Sequence, residues 1–382
     1  MTTPRYHIPV FQPLPPSDLI ARKGDLKGTF PFSSPRVHHF YMARNAIWHG
    51  VDLLGLKPGD EVLLPAYHHG VEVEVLVAKG LKPRFYRVDV GARIHPEDVE
   101  RALTPGTKAI YVIHYFGFPQ PIQEILALAR RRGLPLIEDC ALSLFSSGPR
   151  GALGSFGDIG IFCLYKTLPL PHGGSLVLNR EGLGTPPESR KPDSASSVSY
   201  VANLMLDYAA LRLNGAGSGV VTAGRNLGRL AKRALRASTI PIDTSHLDMR
   251  VIPLGMGRTA RYLLRRARPA EVIAVRRRNF LHLASLLQGS GARPLFPELP
   301  EGVCPLSYPV YVRDKARVHE ELLRDNVGNV NFWSRTRPEI ATGAYPEVDE
   351  MRRHVLELPI HQGLEPRHIE YIAERARERV RW

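Results

Sequence analysis

The chain has 382 residues, 43% of them hydrophobic, which suits a large domain followed by a smaller one. Three cysteines are too few for a disulfide framework and no pair has metal-ligand spacing, so we predict a reducing, cytoplasmic setting and no metal site. The sequence shows no signal-peptide pattern, and no apolar run reaches the roughly 18 residues that a membrane-spanning helix needs.

The net charge of +14 is concentrated in one segment of the chain. Between Thr222 and Arg278 there are 14 Lys and Arg against 3 Asp and Glu. Within this segment, Arg225–Arg236 has the period of a basic amphipathic helix, the kind of helix that can contact a membrane surface. We favour a solvated or dimer-interface helix instead. We expect no nucleic-acid partner, because zinc-finger spacing, RNA-binding aromatics and a clear helix-turn-helix are lacking.

In chain order, short apolar runs alternate with helical periods from about Tyr41 to Asn179. The predicted strands are Glu61–Tyr67, Arg84–Val90, Lys108–Tyr115, Leu134–Cys140, Ile159–Leu164 and Gly174–Leu178. The predicted helices are Asn45–Leu54, Val71–Ala78, Pro96–Ala102 and Ile122–Arg131. This alternation predicts an α/β fold with a mostly parallel central sheet covered on both faces. The last two strands follow one another so closely that we expect them to pair antiparallel.

The rest of the chain is helical at first and mixed at its end. We predict a loop over Arg180–Ser197, a helix that is buried or covered by a partner over Tyr200–Leu213, and a basic helical stretch from about Arg258 to Leu287, interrupted at Pro269. Further on, we predict strands at Ser307–Val312 and Val355–Ile360, and helices at Ala316–Arg324 and Pro366–Arg379. The chain thus divides into a large domain over 1–245, with a basic helical insertion around 180–245, and a helical linker with a small α+β domain over 246–382.

Two charged residues close apolar strands and are candidates for chemistry. Asp139 ends Leu134–Cys140, where ligand sites of parallel α/β sheets lie. An Asp there can face a positively charged ring nitrogen, although a helix N-cap is an equally ordinary role. Lys166 follows the apolar Ile159–Leu164 and precedes a turn rich in Pro and Gly. A partly buried lysine suits Schiff-base chemistry, and the alternative is a strand-end lysine that reaches solvent.

Four linked motifs in register resemble those of the DegT/DnrJ/StrS family of pyridoxal-phosphate (PLP) aminotransferases. They are Glu138-Asp139-Cys140-Ala141, Gly154-Ser155-Phe156-Gly157-Asp158, Lys166 and Gly173-Gly174. The resemblance covers about Tyr41–Asn179 and, less closely, Ser307–Ile372. It implies PLP-dependent transferase fold type I, the cofactor PLP, and a homodimer with active sites completed across the interface.

The resemblance also implies roles for individual residues. Lys166 carries the cofactor as a Schiff base and shuttles a proton, and Asp139 pairs with the pyridine nitrogen. His69 stacks on the ring, with Tyr67 as a rival for that place. Further residues that the resemblance places at the cofactor, mainly at its phosphate, are Arg44, Asn45, Ala46 and Cys163.

Some residues depart from the family's pattern. Leu142 stands where the family has Gln or His, and Cys163 stands where it often has Ser. The family's segment that reaches the partner subunit has its nearest counterpart at Leu254–Arg258. His114, Trp333 and His361 are further candidates for the site, each equally suited to the core or a loop.

Three functions follow from these residues. The first is transfer of an amino group from glutamate to a keto sugar, which we expect to be nucleotide-linked, in amino-sugar or polysaccharide biosynthesis. The second keeps PLP but performs elimination, decarboxylation or condensation on an amino-acid-like substrate, because the residues around the cofactor differ from the usual set. The third is a non-catalytic protein on a PLP-binding fold that uses its basic segment to hold nucleic acid or a membrane surface.

Overall fold

A computed structural model describes residues 6–213, 219, 221, 223, 224, 246–331, 333, 334, 337–341, 343–380 and 382. The predicted basic helix Arg225–Arg236 lies outside the described residues. No helix in the described part of the chain is long and apolar enough to cross a membrane.

The larger sheet has seven strands in the order β1-β9-β8-β5-β4-β2-β3. Their bounds are β1 Val37–Phe40, β2 Glu61–Pro65, β3 Lys82–Tyr86, β4 Thr107–Ile113, β5 Leu136–Asp139, β8 Ile159–Cys163 and β9 Gly174–Leu178; β6 Ser147–Gly148 and β7 Gly151–Ala152 form a separate ribbon. Strands β2, β3, β4, β5 and β8 are parallel, whereas β9 runs antiparallel to both of its neighbours. Both expectations for this sheet, including the closing antiparallel pair, are confirmed.

Helices connect the parallel strands, as the alternating pattern predicted. They are α2 Ala43–Leu53, α3 Val71–Ala78, α4 Pro96–Ala102 and α5 Ile122–Arg132; α1 Ser17–Ile20 precedes β1, and α6 Ser194–Arg212 follows β9. Helix α5 ends at Gly133, whose φ of 63° is the left-handed conformation in which glycine commonly closes a helix. Helix α6 begins within the predicted loop, before the apolar stretch that indicated it.

The C-terminal part contains a three-stranded antiparallel sheet in the order β10-β11-β12, with helices around it. The elements are α7 Arg258–Leu264, α8 Pro269–Leu287, β10 Arg293–Pro294, β11 Tyr308–Tyr311, α9 Lys315–Arg324, α10 Pro346–His354, β12 Val355–Leu358 and α11 Pro366–Arg377. The predicted break at Pro269 is confirmed, because that proline begins α8, where its missing N–H costs no helical hydrogen bond.

One hydrophobic cluster includes side chains from both sheets, among them Ile110 and Ile137 of the larger sheet and Val310 and Leu356 of the smaller. Burying these side chains together fixes the C-terminal sheet beside the larger one. The carboxyl ends of β2, β5 and β8 thereby face residues of β12 across a cavity.

Candidate active site

A cavity of about 1180 Å³ lies at the carboxyl ends of the parallel strands. This is where ligands bind in open α/β sheets. Five of the seven residues that the resemblance placed at the cofactor line its wall: Arg44, His69, Asp139, Cys163 and Lys166. Asn45 and Ala46 do not. The wall also includes a segment near the amino terminus, one face of α6, and residues of the C-terminal sheet.

Asp139 ends β5 and is held there by two donors. The hydroxyl of Tyr111 donates to Asp139 Oδ2 at 2.5 Å, and the backbone N–H of Ala141 donates to Oδ1 at 2.8 Å. Burial raises the pKa of Asp139, while these two hydrogen bonds and the nearby Lys166 act in the opposite direction. No helix follows Asp139, so the helix N-cap role does not apply here. A buried carboxylate aimed into the cavity is suited to a cationic ring nitrogen.

Lys166 lies in the turn after β8, and its side chain lines the cavity rather than the outer surface. Its Nζ forms no hydrogen bond or ion pair with any residue that the structure describes. The turn is fixed by backbone hydrogen bonds from Leu164 to Gly173 and from Leu168 to Leu164. The backbone around Lys166 is therefore fixed, and its amine is available to a bound group.

Arg276 of α8 forms hydrogen bonds that hold the turn containing Lys166. Its guanidinium is 1% exposed and donates to the carbonyl oxygens of Thr167, Pro305 and Leu306, and to Gln362 Oε1. Gln362 in turn donates to the same Thr167 carbonyl at 2.8 Å. Burial lowers the pKa of Arg276 to about 10. Four acceptors from three separate parts of the chain thus bind one buried guanidinium, next to the turn that contains Lys166.

His69, just beyond β2, presents its ring to the cavity. Desolvation by the surrounding protein and the positive charges of Lys166, Arg44 and Arg352 together lower the pKa of His69 to about 3, so the ring is neutral. Its rival Tyr67 is fully buried, packs against Tyr115, and does not reach the wall. The geometry therefore favours His69 over Tyr67 for a stacking role.

The first turn of α2 also lines the cavity, through Ala43 and Arg44. Arg44 is 7% exposed and its Nη1 donates to the carbonyl of His246 at 2.7 Å. The amide of Asn45 donates instead to the carbonyl oxygens of Val251, Ile252 and Leu254, so its side chain is committed to that loop. The backbone N–H groups at a helix N-terminus, with Arg44 beside them, suit an anion such as phosphate.

The Gly173-Gly174 motif lets α2 approach the sheet. A Cβ at Gly174 would lie 2.3 Å from the carbonyl carbon of Met42 and 2.4 Å from the nitrogen of Ala43, both backbone atoms. Only a residue without a side chain fits this contact. The second glycine therefore sets the position of the first turn of α2, which carries Arg44.

We expect Gly174→Ala to lower the free energy of unfolding by about 1–3 kcal/mol, because the backbone at Met42 must move to admit a methyl group. Urea unfolding measures the effect, and the affinity for PLP should fall with it. Gly133→Ala is a matched control, because a Cβ there meets no atom within 4 Å. Since Gly133 has a φ of 63°, its substitution costs backbone strain but leaves the cavity intact. Equal PLP affinity in both variants would contradict this role for Gly174.

Glu138, the residue before Asp139, organises the Gly154–Asp158 motif. Its carboxylate accepts backbone N–H bonds from Gly154 at 2.8 Å, Phe156 at 2.7 Å and Gly157 at 2.6 Å. His114 Nε2 lies 3.1 Å from Oε1, and because His114 Nδ1 accepts a bond from the Gln120 N–H, Nε2 carries the proton and donates. The motif residues that the sequence singled out beside Lys166 thus form a loop wrapped around one buried carboxylate.

The remaining candidates are divided between the wall and the core. Trp333 lines the cavity, whereas His114 is bound to Glu138 and His361 Nε2 to the carbonyl of Pro9, and neither reaches the wall. Leu142 and Cys163 both line it, and burial raises the pKa of the Cys163 thiol. In the described residues, His114, Glu138 and Cys140 form a cluster of possible metal ligands, but hydrogen bonds already occupy His114 and Glu138.

Sequence reasoning missed three buried residues of this site: Glu72, Arg276 and Glu357. A signal was present for one of them, since Glu357 is a lone acid between Leu356 and Leu358 in an otherwise apolar strand. Glu72 and Arg276 lie in helical stretches where charge is ordinary, so no pattern distinguishes them from other charged helical residues.

Comparison with known proteins agrees with this geometry. Residues 43–185 match the model of the DegT/DnrJ/EryC1/StrS aminotransferase family. A UDP-N-acetyl-3-dehydro-alpha-D-glucosamine 3-aminotransferase of Acidithiobacillus ferrooxidans is 37% identical over 133 residues, 34% of this chain and 36% of the relative. The match thus spans about a third of that relative's length.

Two solved structures show the fold over nearly the whole chain. The aminotransferase TlmJ from Streptoalloteichus hindustanus superposes with a TM-score of 0.67 at 23% identity, covering 97% of this chain and 98% of its own. NtdA from Bacillus subtilis with bound cofactor PMP superposes with a TM-score of 0.61 at 19% identity, covering 91% and 74%. The predicted fold, that of a PLP-dependent aminotransferase with a mostly parallel sheet, is confirmed.

Proposed function

We propose that this protein is a PLP-dependent aminotransferase that moves an amino group from glutamate to a keto sugar, carried on a nucleotide. The observation that carries the proposal is the placement of Lys166, Asp139 and His69 on one cavity wall. The names of the relatives support the substrate class, because the Acidithiobacillus ferrooxidans protein is named for transfer to a nucleotide-linked dehydro sugar. Polysaccharide or amino-sugar biosynthesis in the cytoplasm is the corresponding setting.

The residues present fit PLP. Lys166 offers an amine with no partner among the described residues, and Asp139 offers a carboxylate whose two donors favour its charged form. The N-terminus of α2 and Arg44 suit the phosphate, and His69 offers a neutral ring face. Asn45 contributes to this site through the loop that it holds. When bound, the cofactor supplies an electron-accepting ring.

Each residue then has one task. Asp139 holds a proton on the ring nitrogen, which keeps the ring able to accept electrons. Lys166 would anchor the cofactor through its amine and would move a proton to and from the substrate's reacting carbon. His69 fixes the ring plane. We further propose a homodimer, and a boundary between the two domains at about residues 245 and 246.

An absorbance spectrum before and after addition of L-glutamate tests this function. We expect purified protein to show the band of cofactor linked to Lys166, and we expect glutamate to convert it to the pyridoxamine phosphate form in one half-reaction. Identification of 2-oxoglutarate as the product completes the test. A protein that binds PLP yet forms no pyridoxamine phosphate with any amino acid would point to elimination, decarboxylation or condensation instead.

A further inference from the structure

Three carboxyl side chains on the cavity wall interact electrostatically with Lys166: Glu72, Asp139 and Glu357. They differ in how their oxygens are used. Glu72 accepts the backbone N–H groups of His69 and Gly70, one on each oxygen, so it caps the start of its own helix. Both oxygens of Asp139 also have donors. These two carboxyls are therefore committed to the protein or to the cofactor ring.

Glu357 is built differently. Ser307 Oγ donates to Glu357 Oε2 at 2.5 Å, and no other residue that the structure describes donates to this side chain. The backbone of Glu357 is fixed on both edges of β12, by pairing with Pro309 and by hydrogen bonds in both directions with Val330. The residue is 5% exposed and lines the cavity. One oxygen is thus anchored, and Oε1 is left to whatever enters.

We propose that Glu357 binds the ammonium group of the amino donor through Oε1 and accepts one of its protons as the donor enters the site. In this step one N–H bond of the ammonium breaks and one O–H bond forms on Glu357. The electron pair left on nitrogen makes the amine a nucleophile, and nothing is oxidised or reduced. An ammonium donates charge-assisted hydrogen bonds to a carboxylate, and these are roughly twice as strong as hydrogen bonds between neutral groups. The inference rests on the proposed aminotransferase function.

The groups that face Glu357 come from four parts of the chain. They are Ser307 before β11, Lys166 after β8, Lys315 of α9 and Tyr67 after β2. Burial raises the pKa of Glu357 to about 7, against the lowering effect of the Ser307 hydroxyl and the two lysines. Burial also lowers the pKa of Lys315 to about 7, and its Nζ donates to the carbonyl of Arg352.

The affinity of the site for an ammonium group should depend on pH. Because the pKa of Glu357 is raised, the carboxylate is present above about pH 7 and is lost as the pH falls through that value. Affinity for an ammonium should therefore rise as the pH rises through about 7. Removing the Ser307 hydroxyl should raise the pKa of Glu357 further and move this rise to higher pH.

The probe is α-methyl-L-glutamate, which carries the donor's ammonium but no hydrogen on its reacting carbon. It can bind the holoenzyme and cannot be transaminated, so its Kd is read from the cofactor absorbance without turnover. We expect Glu357→Gln to weaken binding about tenfold or more at pH 8, as loss of a charge-assisted hydrogen bond requires, and to flatten the pH dependence near 7. Ser307→Ala should shift that dependence upward. Glu298→Gln removes the same charge at an exposed position and should change nothing.

The outcomes distinguish a wrong function from a wrong role for Glu357. If the wild-type protein neither binds the probe nor reacts with glutamate, the proposed function is wrong. If the wild-type protein binds but Glu357→Gln binds within about twofold of it, or keeps its pH dependence, the role of Glu357 is wrong. Thermal unfolding and the cofactor spectrum show whether Glu357→Gln is folded. If it is not, Ser307→Ala decides, because an unshifted profile contradicts the proposal.

Discussion

Lys166→Ala is expected to slow amino transfer by at least about a thousandfold and to remove the covalent link to the cofactor. The reason is that no other lysine among the described residues lines the cavity, so no second amine can replace it. Rates of the half-reaction with glutamate measure the first effect. Borohydride reduction followed by peptide mass analysis measures the second, since reduction fixes the cofactor on the lysine that holds it.

Two comparisons sharpen this result. Lys108→Ala removes an exposed lysine from β4 and should leave the rate and the spectrum unchanged. Added methylamine should restore part of the activity of Lys166→Ala, because a small amine can perform the proton transfer that the side chain no longer performs. Reduced cofactor on a lysine other than Lys166 in the wild-type protein would show that the assignment is wrong.

Glu138→Gln should lower the free energy of unfolding by about 3 kcal/mol or more. The wild-type carboxylate accepts four donors: three backbone N–H groups of the Gly154–Asp158 loop and His114 Nε2. Glutamine replaces one oxygen with an NH₂ group, which faces N–H donors and cannot accept from them. At least two buried donors lose their partner, and the loop that supports the Asp139 strand must rearrange.

Urea unfolding of the two proteins measures this difference. Glu100→Gln is a suitable control, because Glu100 is largely solvated and pairs with the exposed Arg132 at 2.9 Å. Such a surface pair contributes less than about 1 kcal/mol. If Glu138→Gln were no more destabilising than Glu100→Gln, the loop would have to be held by contacts other than these hydrogen bonds.

The regular elements of the larger sheet could be predicted because their periods are local. Val71–Ala78, Pro96–Ala102 and Gly174–Leu178 have the predicted bounds, and other elements differ by a few residues at their ends. Several short elements were missed, among them β1 and α10. Strand β1, Val37–Phe40, is only four residues long and contains two histidines, and helix α10, Pro346–His354, is mostly charged. Neither carries an apolar pattern long enough to recognise.

Some residues of the site could likewise be predicted from the sequence, and others could not. Residues near the motifs, such as Lys166 and Asp139, could be placed because their neighbours in sequence are also their neighbours in space. Glu357 and Arg276 reach the cavity from more distant parts of the chain, and no local pattern joins them to the motifs. The role of Asn45 depends on carbonyl groups about 200 residues away. Such contacts exist only after the chain has folded.

Arg276 also has a consequence for recombination between relatives. Its guanidinium joins the Thr167 carbonyl to the carbonyls of Pro305 and Leu306 and to Gln362, and three of these four acceptors lie C-terminal to Arg276. A chimera that takes its C-terminal half from a relative should therefore cross over before Pro269, so that α8 travels with three of the four acceptors. A crossover between 288 and 304 would pair this buried arginine with a foreign backbone.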